Sequence, residues 1–279
     1  MDILDSHIKT LDRDGVVIVN NAVSGELKYL QHRYSSGWSE ILDNFSTLKW
    51  NKIKFNSDCQ INTGFIGKDL YNGHLKAEYK STGIIDMTNS RYDFTYNLEH
   101  VKIQSNYINY IMKNTLKNEY NSYVGGLPIL NNIDYPNQSH RSNYNRNGKW
   151  HRDAYSLFDN ETLDITLPPF YYTILVPLFT MQATNGRNTE FIPGSHRFNL
   201  AEHNITNTNE LSIWCSRQET IKLNCNPGDV CIFHGYTIHR GVESNNAEQG
   251  PSQNHNFDML YAVYKKNWYN DEPADNYIL

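Results

Sequence analysis

Residues 149–156 read K-W-H-R-D-A-Y-S. A histidine and a carboxylate two positions apart, His151 and Asp153, are turned to one face by an extended strand, where both can reach one cation. A second imidazole would complete a facial triad. That arrangement leaves three positions open and suits non-haem Fe(II), which must bind a cosubstrate and then O2. In a chain with 11 histidines a single H-x-D carries little, so the pair needs support from the rest of the sequence.

That support lies C-terminal to it. Residues 226–242 read N-P-G-D-V-C-I-F-H-G-Y-T-I-H-R-G-V. Asn226-Pro227-Gly228-Asp229 has the composition of a turn and Val230–Phe233 that of a buried strand. His239 then stands at the start of the next extended run and is the candidate distal histidine, with His234 as its competitor. Between the two halves, Asn185-Gly186 opens a turn and a short strand that ends in F-I-P-G-S-H-R, residues 191–197.

The order W-H-R-D, then N-G-x-x-x-x-F-I-P-G-S-H-R, then P-G-D-V-x-I-F-H-G-x-x-x-H resembles the phytanoyl-CoA dioxygenase family. The opening D-G-V-V-I-V-N-N-A-V-S and the helix after it are similar to that family's start, so the resemblance spans about residues 11–265. It implies a double-stranded β-helix (a jelly roll) and an Fe(II)/2-oxoglutarate-dependent dioxygenase using O2. His151, Asp153 and His239 then map to the metal ligands and catalytic centre. His234 maps to a structural position, and His196 and Arg197 to a packing turn. Family members that halogenate carry a small residue in place of the carboxylate, so Asp153 resembles the hydroxylating branch. The implied chemistry is C–H oxidation, either hydroxylation or desaturation and ring closure.

The chain departs from the family at the cosubstrate. The family places an arginine nine to eleven residues after the distal histidine, where its planar fork grips the far carboxylate of 2-oxoglutarate. Here residues 246–258, N-A-E-Q-G-P-S-Q-N-H-N-F-D, contain neither Arg nor Lys, and Gly241 stands where a small hydroxyl residue is usual. The candidates for that carboxylate are His255, Arg240 and Thr173, with Arg187 and Arg146 by neighbourhood. Alternation turns Arg240 to the face opposite His239, and His255 has the composition of a surface loop around it. The polar stretch 133–148 carries Arg141 and Arg146 beside His140. These are candidate substrate-binding residues, suited to a polar or acidic small molecule.

The elements that must position these groups are mostly strands. Short β-rich runs at 171–176, 189–192, 220–223, 230–233 and 259–264 follow an N-terminal part with two expected helices. One helix spans 24–43, capped by Ser24 with Leu27, Leu30, Tyr34, Trp38 and Ile41 on one face. The other spans 97–118, with Val101, Ile108, Ile111 and Leu116 inward. Residues 11–19 read as a turn followed by an apolar strand. The class is therefore mainly β (α+β): a jelly-roll core with flanking N-terminal helices, not a parallel α/β fold. One domain over 1–279 is expected, with 1–123 as an N-terminal elaboration and 124–268 as the core that bears the metal site.

Composition sets the remaining bounds. The 279 residues carry net charge -5, which disfavours a nucleic-acid partner. No apolar run reaches the length of a membrane span, and the N-terminus lacks a signal-peptide pattern, so a cytoplasmic location is expected. A monomer is compatible with the sequence. The four cysteines, Cys59, Cys215, Cys225 and Cys231, form no C-x-x-C pair and read as reduced thiols. The sequons at Asn44 and Asn204 read as chance matches. Two alternatives stand beside a small-molecule oxygenase: a non-catalytic jelly roll that holds a structural metal, and a protein hydroxylase. Structural zinc sites are usually closed by four protein ligands, which weighs against the first.

Overall fold

A strand buried at every position needs a layer on each side. Strand β7 (Tyr171–Pro177) is buried at all seven positions and β10 (Val230–His234) at all five. Both lie inside a five-stranded antiparallel sheet of order β1-β10-β7-β12-β6, with β1 at Val16–Val19, β12 at Met259–Lys266 and β6 at Tyr120–Leu127. A three-stranded sheet, β11-β8-β9, is built from His239–Val242, Asn188–Phe191 and Ile221–Lys222. The computed structural model describes residues 3–36, 66–67, 76–79, 83–86, 91–93, 101–127, 150–154, 157, 165–178, 188–242 and 259–269. A separate four-stranded sheet of order β2-β3-β4-β5 runs through Ile66–Gly67, Lys76–Tyr79, Gly83–Asp86 and Arg91–Asp93.

Alternation sorts the side chains. Tyr172, Ile174 and Val176 of β7, Val230 and Ile232 of β10, and Leu260, Ala262 and Tyr264 of β12 pack toward the helices. These helices are α1 (Ile3–Asp14), α2 (residues 27–36) and α3 (Asn106–Leu116). On the opposite face Val16, Leu175, Cys231, Phe233 and Met259 meet Phe191 of β8 and Leu223, and close the interior between the two sheets. A third cluster (Trp150, Ile192, Leu200, Ile205, Leu211, Cys215 and Ile238) backs the smaller sheet and includes residues of α4, Thr208–Cys215. Two facing antiparallel sheets with this topology make a double-stranded β-helix, as expected.

Several N-terminal expectations change. Residues 3–14 form a helix, which takes in Leu11–Asp14 where a turn is expected. The helix expected to start after Ser24 begins at residue 27, because 21–26 are turns and the Ser24 hydroxyl bonds Asn21 Oδ1 instead of a helical N–H. Its expected continuation, with Trp38 and Ile41, lies outside the described residues. The helix expected over 97–118 runs from Asn106 to Leu116. Ser105 caps it by accepting from the Ile108 N–H, while its own hydroxyl donates to Ala22 O. That leaves Val101 buried but outside the helix. Strand β1 pairs with β10 over Val16–Val19, so residues on both sides of position 123 share one sheet.

The three described cysteines, Cys215, Cys225 and Cys231, are free and buried. Burial pushes the Cys215 and Cys225 thiols up to about 12. No helix among the described residues is long and apolar enough to cross a membrane.

Gly15 joins α1 to β1. Its N–H donates to Leu11 O, and its carbonyl accepts from His234 N and Thr237 Oγ1. Its φ is +72°, and an added Cβ would lie 2.4 Å from His196 Nδ1 and 2.5 Å from Thr237 Oγ1. Gly15→Ala should therefore cost about 2–3 kcal/mol. Gly25→Ala, whose Cβ would meet nothing within 4 Å, should stay within about 0.5 kcal/mol. Denaturant melts of the two variants check this, and equal stabilities would contradict it.

Candidate metal centre

One antiparallel rung adds His151 to the edge of the small sheet, beside β11. His151 N donates to His239 O and His239 N donates to His151 O, both at 3.0 Å. Directly opposed residues on such a rung point to the same side, so the two imidazoles lie together with ring centroids 4.3 Å apart. Their chain neighbours turn the other way. The Arg240 guanidinium lies 4.3 Å over the Trp150 ring and donates to Glu190 Oε2 through Nε and Nη2 at 3.1 and 3.0 Å. The Glu190 carboxylate is buried, and Lys222 Nζ sits 3.6 Å away.

Asp153 is delivered by a second support. Its N–H and that of Ala154 both donate to Gly235 O, at 2.8 and 3.0 Å. No side chain fits at position 235, where a Cβ would meet Tyr171 Cδ1 at 2.6 Å and Ala154 Cβ at 2.7 Å. The Asp153 carboxylate is then oriented by Thr173 on β7, whose Oγ1 donates to Oδ2 at 2.6 Å. Oδ1 is left 3.3 Å from His239 Nε2 and 3.8 Å from His151 Nε2.

One ligand atom from each of His151, Asp153 and His239 lies within 4.8 Å of the others, and this is the group of that kind found among the described residues. His239 Nδ1 is 2.9 Å from Thr237 O. A carbonyl only accepts, so Nδ1 is the donor there and Nε2 is the ring atom that faces Asp153 Oδ1, bridged to it by a proton or by a bound cation. The His239 ring is held against Phe191 and Phe233, with centroids 5.6 and 4.7 Å away. Burial alone would raise the Asp153 carboxyl. The imidazoles of His239 and His151 and the Thr173 hydroxyl outweigh it and hold the group below the usual carboxylate range. His239 is enclosed, while the His151 side chain is 39% exposed, so the centre opens on the His151 side.

The sequence profile of the phytanoyl-CoA dioxygenase (PhyH) family matches residues 74–248, which carry all three of these side chains. The chain belongs to the phytanoyl-CoA dioxygenase family. It is an Fe(II)/2-oxoglutarate-dependent oxygenase, with iron, 2-oxoglutarate and O2 as its cofactor and cosubstrates. Its fold is similar to that of three solved proteins. The non-heme alpha ketoglutarate dependent epimerase SnoN from nogalamycin biosynthesis has a TM-score of 0.50 at 14% identity, covering 95% of this chain and 81% of that one. AviO1 from Streptomyces viridochromogenes Tue57 has a TM-score of 0.50 at 14% identity, covering 96% and 97%. The carbocyclase SnoK from nogalamycin biosynthesis has a TM-score of 0.51 at 14% identity, covering 94% and 83%. No curated protein sequence matches the chain.

The donor set of this family member fits iron: two imidazole nitrogens and one carboxylate oxygen converge, and no fourth protein ligand joins them among the described residues. Other expected site residues are placed elsewhere. Arg240 is turned away from the three ligands, since strand alternation puts it on the outer face against Trp150 and Glu190. Thr173 does face the centre, and its hydroxyl donates to Asp153. His234 is turned to the helix side of the large sheet, where its Nδ1 accepts the Tyr236 N–H. His196 bonds Asp12 O, and Arg197 pairs with Asp12 at 2.8 Å. His255, Arg141, Arg146 and Arg187 lie outside the described residues. Sequence reasoning missed Gly235, Thr237 and the Trp150–Arg240–Glu190 group. The G-Y-T-I-H spacing held the first two, but nothing local pointed to Glu190.

His234 sets an acid limit on the fold. Burial, then the neighbouring His196, Arg152 and Arg197, bring its imidazole down to about 3 from 6.5. The unfolded chain therefore binds a proton that the folded chain refuses between those values. Stability should be full above about pH 6.5 and fall as pH drops toward 3. His234→Asn keeps an acceptor for Tyr236 N and should flatten that slope by about one proton. Melts across this range test it, and an unchanged slope would contradict the assignment.

Proposed function

We propose that this chain oxidises a C–H bond of a small molecule, by hydroxylation or by desaturation or ring closure, at iron held by His151, Asp153 and His239. The observation that carries the reading is the convergence of three ligand atoms within 4.8 Å at the edge of the barrel, with one side open. When bound there, iron with 2-oxoglutarate activates O2 for attack on the substrate.

The protein's own residues supply the rest. The His151–His239 rung fixes the two ligands' backbones opposite each other, so that both side chains leave on the same side. Thr173 keeps Asp153 Oδ2 occupied, which favours a single carboxylate oxygen on the metal and keeps the other positions available. Phe191 and Phe233 exclude water from the buried side of His239. Ala154, next to Asp153, packs into a buried aromatic cluster with Phe170, Tyr171, Tyr236 and Tyr269, which backs that ligand. The epimerase and carbocyclase names of two proteins of similar fold, both from nogalamycin biosynthesis, support a metabolite as substrate. Arg141 and Arg146 remain the candidates for a polar or acidic group on it, and a cytoplasmic place suits such chemistry.

Two measurements test the assignment. His151→Ala and His239→Ala should lose Fe(II) or Co(II) binding in equilibrium dialysis, while His234→Ala retains it. Equal loss in all three would overturn the choice of ligands. Aerobic incubation with Fe(II) and 2-oxoglutarate alone should release succinate slowly, and with substrate the product should gain one oxygen or lose two hydrogens. A protein that holds metal but never consumes 2-oxoglutarate would contradict the proposal. Thr173→Val should weaken metal affinity or activity by about 10- to 100-fold, the usual effect of removing a hydrogen bond to a ligand. Thr173→Ser should restore most of it, and a Val variant that matches the wild type would remove Thr173 from the centre.

A further inference from the structure

Ladder bonds in an antiparallel sheet come in reciprocal pairs. Ile192 and Ile238 stand one step beyond the Phe191–His239 pair, and Ile192 N donates to Ile238 O at 3.0 Å. The return bond runs through a side chain. Ile238 N donates to Ser195 Oγ at 2.8 Å, and Ser195 Oγ donates to Ile192 O at 2.6 Å. We propose that Ser195 is a positioning residue for the metal centre, acting on His239 through the Thr237–Ile238 peptide. This rests on the reading of His151, Asp153 and His239 as the iron ligands.

One peptide plane carries both contacts. Its N–H is that of Ile238, which Ser195 receives. Its carbonyl is that of Thr237, which accepts from His239 Nδ1 at 2.9 Å. The group is planar and trans, so its carbonyl and its N–H point in opposite directions and turn together. Holding the N–H on Ser195 therefore aims Thr237 O back at the imidazole. The partner of the far nitrogen of a ligating histidine sets the ring's tautomer, orientation and basicity. The three bonds also form one chain, from Nδ1–H to Thr237 O, from Ile238 N–H to Oγ and from Oγ–H to Ile192 O, in which each polarises the next.

A serine in a turn commonly bonds the carbonyl three residues back, which accounts for the donation to Ile192 O. It does not account for the acceptance from Ile238, 43 positions away. Ser195 and Ile238 are both buried, so without the hydroxyl the Ile238 N–H has no water to turn to. It can regain a partner only by tilting the 237–238 peptide toward Ile192 O, which takes Thr237 O off the imidazole. The serine's own carbonyl serves the other two ligands. It accepts from Arg152 Nη2 at 3.2 Å, and Phe198 O accepts from the same nitrogen at 2.6 Å. Arg152 stands between His151 and Asp153, so the turn at Ser195–Arg197 is bonded to both ligand-bearing segments.

The test reads metal binding and the imidazole itself, not turnover. Co(II) is titrated into the metal-free protein against a competing chelator, and the His239 Nδ1–H is followed by proton–nitrogen NMR of the Zn(II)-loaded protein. Ser195→Ala should weaken Co(II) by about 10-fold, the lower end of the loss when a ligand's partner is removed. It should also shift the Nδ1–H signal or lose it to exchange. Ser195→Thr keeps the hydroxyl and should recover both. Ser105→Ala removes a buried hydroxyl from the start of α3, far from the centre in the fold, and should leave both as in the wild type.

The wild-type protein supplies a check that needs no variant. Loading Zn(II) should move the Ile238 amide proton downfield, as the metal strengthens the Nδ1–H donor and the chain behind it tightens. Three results would overturn the assignment: a Ser195→Ala variant with wild-type Co(II) affinity and an unmoved Nδ1–H signal, a Ser105→Ala variant weakened as much as Ser195→Ala, or an Ile238 amide that stays put on loading. A wild-type protein that binds no Co(II), or a His239→Ala variant that binds it as tightly as the wild type, would overturn the metal-centre reading, and this assignment with it.

Discussion

The structure depends on one pair of backbone hydrogen bonds, the reciprocal contacts between His151 and His239. Residues 88 positions apart become direct neighbours on one rung, and the pleat turns both imidazoles the same way. The correct register puts both side chains on one side before any rotamer is chosen. Register in turn is fixed by what lies on the other face, where Arg240 stacks on Trp150 and grips the buried Glu190. A slip of one residue would reverse every side chain on the rung. It would put a charge where the Phe191 and Phe233 rings pack and leave Glu190 buried without its guanidinium.

Asp153 belongs to a different support, and this separation matters for chemistry. The histidines belong to a rung on the edge of the small sheet, whereas the carboxylate is aimed by Gly235 O, just after β10, and by Thr173 Oγ1 of the large sheet. The metal centre therefore sits across the seam of the barrel. Its geometry reports whether the two sheets are docked correctly. The same large sheet carries His234 on its helix side, where its Nδ1 accepts the Tyr236 N–H.

Much of the centre could be read directly from residues. His151 and Asp153 follow from two-residue spacing, and His239 from its place after a turn and a buried strand. The strands of the core were visible because alternation and turn residues are local signals. What was hidden depends on partners distant in sequence. Nothing around Thr173 shows that its hydroxyl meets a carboxylate 20 residues earlier, or around Arg240 that it meets Glu190, 50 residues earlier. The helix at residues 3–14 is not legible locally because its end is set by Gly15, whose carbonyl accepts from His234 N and from Thr237 Oγ1, 222 positions away. The later start of α3 has a similar cause, since Ser105 is pinned by Ala22, 83 residues away.

The most direct test of the central claim is an anomalous difference map, collected at the iron edge, from crystals of the protein loaded anaerobically with Fe(II). The account predicts one strong peak within bonding distance of His151 Nε2, His239 Nε2 and Asp153 Oδ1, with Thr173 Oγ1 still on Asp153 Oδ2. A peak at His196 and His234, or none between the three proposed ligands, would contradict it.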